Sequence, residues 1–202
     1  MADIKFLELL ANDYPNQKAA TAEMINLNAI LALPKGTEYF LSDLHGEHEA
    51  FIHMLKSASG TIKGKIDEYY GGILSETDRD DLAALIYNAE AEIARRKKSE
   101  RDFDKWCNTV IYRLITICKS VSTKYTRSKV RRRLPKYWDC AMDELLHADD
   151  EENKLHYYDA IISSVVESGS AEDFIINGRC HQQSCCGSAS HYRRHLGQRS
   201  AP

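Results

Sequence analysis

The sequence predicts a mainly α-helical chain with one short β-strand. Apolar residues recur at three- and four-residue spacing through most of its length, as in Phe103, Trp106, Val110, Leu114, Ile117 and Val121. Only Glu38-Tyr39-Phe40-Leu41-Ser42 is short, aromatic-rich and bounded by turn residues in the manner of a buried strand. No apolar run approaches the ~20 residues that a membrane-spanning helix needs.

The elements follow in order. The first 33 residues read as two helices joined at Tyr14-Pro15-Asn16, the second carrying Met24, Leu27, Ile30 and Leu31 on one stripe. Pro34-Lys35-Gly36 ends it. After the strand at 38–42 come Asp43-Leu44-His45-Gly46, and then a helix from Glu47 to about Leu55 with Phe51, Met54 and Leu55 on one face. Thr77 and Asp80 predict a capping box, opening a single helical stripe through Leu82, Leu85, Ile86, Ala89 and Ile93. Beyond the stripe that starts at Phe103, Pro135 interrupts before a helix holding Trp138, Met142, Leu145 and Leu146. Asn153 to Ser168 predicts another, with Gly169 as its C′ residue. Ser170-x-x-Asp173 announces a last helix, which Asn177-Gly178 is expected to halt after little more than one turn. All these stripes are expected to be core, as are Cys107, Cys118 and Cys140.

Composition narrows the function classes. With 43% hydrophobic and 28% charged residues, the chain resembles an ordinary soluble globular protein. A net charge of −3 argues against a nucleic-acid binder, which needs a surplus of Lys and Arg. The start, Met1-Ala2-Asp3-Ile4-Lys5, shows no secretory signal, so the expectation is a cytoplasmic protein with no membrane partner and reduced cysteines. Charge is uneven. All 30 acids lie in residues 1–176, whereas residues 177–202 hold Arg179, Arg193, Arg194, Arg199 and no acid. Lys124, Arg127, Lys129, Arg131, Arg132 and Arg133 form a basic run, which reads either as a solvated helix end or as a contact for an anion such as a phosphorylated substrate or a neighbouring subunit.

Asp43-x-His45 stands where the strand ends. Two residues apart on extended backbone, both side chains face the same way. A carboxylate and an imidazole together suit Mn²⁺, Fe or Zn²⁺ better than Ca²⁺. The triplet alone is common, and by itself it reads better as an Asp capping the next helix beside a surface His.

The surroundings say more. Pro34 to Phe51, with Phe40-Leu41-Ser42-Asp43-Leu44-His45-Gly46-Glu47 at its centre, closely resembles the first metal motif of the calcineurin-like metallophosphatases, and more narrowly the class 3 fructose-1,6-bisphosphatase family. Gly60-Thr61-Ile62-Lys63-Gly64-Lys65-Ile66, Glu144 to Asp149 and Ser170 to Ile176 are similar to the same family. The resemblance covers nearly all of residues 1–176. It implies hydrolysis of the 1-phosphate of fructose 1,6-bisphosphate in gluconeogenesis at a dinuclear Mn²⁺ site, with Asp43 and His45 among the metal ligands. Two ions can activate a water and neutralise the phosphoryl oxygens. His48 and His53 are not carried over. The implied architecture is a truncated piece of an α/β metallophosphatase sandwich: residues 1–60 with the first core strand and metal motif, a helical insertion over 61–176, and an aberrant, disordered tail at 177–202.

The resemblance also implies what is missing. The family's Gly-Asp-x-x-Asp-Arg-Gly and Gly-Asn-His motifs are absent, since none of the ten glycines precedes Asp or Asn. Two ligands cannot fix two ions, so this chain is expected to be inactive alone. A reading-frame change or a disrupted gene near residue 176 is the expected origin of the tail, which sequencing the locus tests. Cys180, Cys185 or Cys186, His191 and His195 could instead be written as a zinc site, but the spacer is too short and no apolar core accompanies it. The rival function is a helical binding or subunit-interaction fragment; a different phosphoesterase of the superfamily fits poorly with the long helical stretch after the first motif. Homo-oligomerisation, which would cover an unpaired strand edge, is left open.

Overall fold

The computed structural model describes residues 4–34, 45–57, 60–147 and 152–186. Within them the chain forms eleven helices and no strand, so the mainly α expectation holds there. The strand expected at 38–42 lies outside the described residues, as does Asp43. No helix among the described residues is long and apolar enough to cross a membrane. The chain divides into two compact units, Met1–Lys35 and Gly36–Pro202.

The first unit holds α1 (Ile4–Asp13) and α2 (Gln17–Leu31). Asn16, extended at φ −152°, caps α2 by accepting the Ala19 N–H at 3.0 Å, which satisfies one of the donors a helix start leaves open. Neither helix buries a residue. The stripe of Met24, Leu27, Ile30 and Leu31 is exposed, Leu31 by 81%, which corrects the expectation that it is core. A stripe is buried only against another apolar surface, and two short helices offer each other too little of one.

The second unit runs through α3 (His48–Ser57), α4 (Thr61–Tyr70), α5 (Glu76–Tyr87), α6 (Ala89–Ser99), α7 (Phe103–Ser122), α8 (Arg127–Arg131), α9 (Asp139–His147), α10 (Glu152–Glu167) and α11 (Ala171–Cys186). The long α7 is its axis. It is amphipathic at a 3.6-residue period and buries Cys107, Val110, Ile111, Leu114, Ile115, Ile117, Cys118 and Val121. α11 packs on it most extensively, with α4, α9 and α10 around the remaining faces. Each fully buried Ile, Leu or Val contributes about 1.5–3 kcal/mol, so this seam holds the unit together.

Local chemistry moved several boundaries. The cap of α5 is Ser75, not Thr77: the Ser75 hydroxyl accepts the Asp78 N–H at 3.1 Å and donates to the Asp78 carboxylate at 2.7 Å. The stripe from Leu82 to Ile93 is carried by two helices, because Asn88 (φ −146°, ψ 68°) ends α5 and starts α6. α10 closes in a Schellman turn, with Gly169 at φ 71°, its N–H on the Val166 carbonyl and the Ser170 N–H on that of Val165. α11 is not halted at Asn177-Gly178. The Asn177 side-chain amide donates to the Asp173 carbonyl at 2.8 Å and to its carboxylate at 2.9 Å, so its polar group is satisfied within the helix. Cys107 and Cys118 are buried as expected; Cys140 is exposed, since it lies on the outer side of the first turn of α9.

Candidate functional site

His45 opens the described part of the expected metal motif. It sits at φ 45°, the described non-glycine residue with positive φ, and Gly46 follows at φ 79°. Two successive left-handed residues turn the chain sharply, and the His48 N–H then closes on the Gly46 carbonyl at 2.8 Å to start α3. A residue with a β-carbon pays steric energy in this region, although histidine adopts it more often than most. Glycine at 46 meets the requirement without that cost. The His45 side chain is exposed at the head of the helix. Asp43, the other expected ligand, lies outside the described residues.

The other histidines nearby take different places. His48 is exposed on the first turn of α3. His53 lies edge-on to the Tyr87 ring of α5, with ring centroids 6.3 Å apart, in an ordinary aromatic contact. Among the described residues no three His, Cys, Asp or Glu side chains converge to hold a metal ion. The donors that the motif offers fit a first-row divalent ion in kind, one oxygen and one nitrogen, and fall short of a complete site in number. The side chains of Cys180, Cys185 and Cys186, with His191 and His195, lie outside the described residues.

A second cluster was visible in the sequence only as a basic run. Thr126 caps the short α8 by accepting the Lys129 N–H at 3.2 Å, and this places Arg127 and Arg131 one turn apart. Both face Asp143 of α9. Arg127 Nη2 donates to Asp143 Oδ2 at 3.0 Å, and Arg131 Nε stands 4.0 Å from the same oxygen. His147, one turn on from Asp143, has Nδ1 2.8 Å from the Asp143 carbonyl and 3.2 Å from Oδ1. Both neighbours are acceptors, so Nδ1 carries the hydrogen and directs it at the carbonyl, and Oδ1 completes no hydrogen bond of its own. The Asp143 side chain is only 8% exposed, whereas the two arginines are more than half exposed. The signal that could have found this cluster was the Asp143-x-x-x-His147 spacing beside a run of cations with no acid of its own.

A concavity of about 510 Å³ lies between α5, α6 and α7, over Leu82, Leu85, Trp106 and Val110. Its acids Asp81, Glu92 and Glu100 are held by Arg95 and Arg96. It contains neither the metal motif nor the Asp143 cluster.

Comparison with known proteins places the chain. The family described as Firmicute fructose-1,6-bisphosphatase matches residues 5–182. The class 3 fructose-1,6-bisphosphatase of Clostridium tetani (strain Massachusetts / E88) is 50% identical over 175 residues, 86% of this chain and 26% of that protein. Those of Clostridium novyi (strain NT) and Clostridium botulinum (strain Hall) are each 48% identical, with the same shares covered. This chain therefore spans about a quarter of the length of the curated relatives it matches. No solved structure matches it. With nearly nine-tenths of its residues inside the match, the chain belongs to the Firmicute fructose-1,6-bisphosphatase family.

Proposed function

We propose that this chain is the amino-terminal portion of a fructose-1,6-bisphosphate 1-phosphatase of gluconeogenesis, acting in the cytoplasm, and that it contributes Asp43 and His45 to a dinuclear Mn²⁺ site. The observation that carries this reading is the family match over residues 5–182, which contains the Asp43-x-His45 motif. The strained turn at His45 supports it, because backbone held at positive φ persists where the side chain must be aimed. When bound, the two ions supply an activated water and charge neutralisation for in-line attack on the phosphate. The part of the work that falls to this chain is to supply the Asp43 carboxylate and the His45 imidazole, the latter exposed just ahead of α3.

The two donors and the absent Gly-Asp and Gly-Asn motifs point to a chain without turnover by itself. Titrating the 202-residue protein with Mn²⁺ while following phosphate release from fructose 1,6-bisphosphate tests this. Metal uptake that is lost in His45→Ala, without turnover, is the expected result. Folded protein that takes up no metal would favour a helical interaction fragment instead.

A further inference from the structure

We infer that Arg127, Arg131 and His147 form a binding site for a phosphate group, with Asp143 behind them as the positioning residue. The site is independent of the metal motif and is not required by the hydrolytic reading.

Charge is the first argument. Residues 124–133 hold six cations and no acid in a chain whose net charge is −3, so this is a basic island on an otherwise acidic molecule. Among the described residues the acid within ion-pair reach of Arg127 and Arg131 is Asp143, one carboxylate for two guanidinium groups. The excess positive charge stays with the cluster.

Donor accounting is the second. A guanidinium has five N–H donors. Arg127 directs one of them at Asp143, and Arg131, at 4.0 Å, makes an ion pair without a hydrogen bond. Their side chains are 61% and 67% exposed, so the remaining donors are open to a ligand. His147 directs its Nδ1 hydrogen at the Asp143 carbonyl, so Nε2 of the neutral ring is an outer acceptor, suited to the hydroxyl of a protonated phosphate oxygen. Planar forks of this kind fit a phosphate better than a point charge does.

Preorganisation is the third. Long arginine side chains lose entropy when a ligand fixes them. Here the buried Asp143 carboxylate has already drawn Arg127 and Arg131 together, so less is lost on binding. Arg132 is likewise held, its Nε on the Ser128 carbonyl at 3.3 Å.

The test is calorimetric titration of the full 202-residue chain, metal-free and at low ionic strength, with inorganic phosphate and with fructose 6-phosphate. A saturable one-to-one site for phosphate is expected, and tighter binding of fructose 6-phosphate would assign the site to sugar phosphates instead of the free ion. Arg127→Gln with Arg131→Gln should weaken binding about tenfold or more, and Arg127→Lys, which keeps the charge and loses the fork, should weaken it too. Lys63→Gln removes one positive charge from an exposed position elsewhere and should leave affinity unchanged. NMR signals of the Arg127 and Arg131 Nε–H groups should move with phosphate while that of Arg79, paired with Asp67, stays still. No saturable binding, or equal weakening in Lys63→Gln, overturns the inference.

Discussion

Gly178 of α11 lies against Met142 of α9 so closely that a β-carbon at 178 would stand 3.1 Å from the Met142 methyl. The contact explains why a glycine is accommodated inside a helix. It also gives a first prediction. Alanine raises helix propensity by about 1 kcal/mol over glycine, and the methyl it meets is the far end of a flexible side chain. Gly178→Ala should therefore stabilise the protein slightly, by about 0.5 kcal/mol, in urea denaturation. Gly178→Leu should destabilise it by about 1–3 kcal/mol, because Met142 is buried and cannot move far.

The cap of α5 separates two positions that look alike in sequence. Ser75→Ala should cost about 1 kcal/mol, the usual loss of a capping hydroxyl. Thr77→Ala, one residue inside the helix start, should stay within about 0.5 kcal/mol of the parent. Thermal melts of both variants check the assignment; equal losses would contradict it.

How far the sequence was legible follows from such cases. The α7 stripe was legible because one face of one long helix repeats it six times. Asn88 was not, since the stripe runs unbroken across it and only the backbone at φ −146° reveals the break. Asn177-Gly178 suggested a stop because local propensity says so; the side-chain bonds of Asn177 to Asp173 and the packing on Met142 decided otherwise. The family pattern around Asp43-x-His45 was legible, and the family match over residues 5–182 agrees with it; Asp43 itself lies outside the described residues. The Asp143 cluster was legible only in pieces: the Asp143–His147 spacing and the basic run stand in the sequence, but the packing of α8 against α9 that joins them does not.

Thiol chemistry should divide the cysteines by burial. Desolvation pushes the Cys107 thiol up to about 12, so it stays protonated and unreactive at neutral pH. In a variant with Cys180, Cys185 and Cys186 replaced by Ser, a thiol reagent should label Cys140 at once, and Cys107 and Cys118 only on unfolding. Tyr112 is also raised to about 12, by burial and then by its bond to Asp159. Groups with raised folded values add stability that is complete below their unfolded values. Stability should therefore hold up to about pH 9 and fall from there toward pH 12. A denaturation midpoint flat across that window would contradict the burial of both groups.

The Arg127–Asp143 pair should show coupling of a distinct kind. Arg127 is exposed, so its own loss is small, yet Arg127→Ala removes the hydrogen bond that a buried carboxylate depends on. A cost of about 1 kcal/mol is expected. Asp143→Asn in the same chain should recover part of it, because the orphaned charge is gone. Additive losses in a double-mutant cycle would argue against the pairing.

The central claim is that this chain delivers Asp43 and His45 to a phosphatase site that the longer family members complete. A chimera tests it most directly: residues 5–182 of this chain replacing the matching segment of the Clostridium tetani relative. Phosphate release from fructose 1,6-bisphosphate with Mn²⁺ is then measured for the chimera and for its Asp43→Asn and His45→Ala variants. An active chimera that loses on the order of a hundredfold or more in each variant is the predicted result. An active chimera indifferent to both substitutions would contradict it.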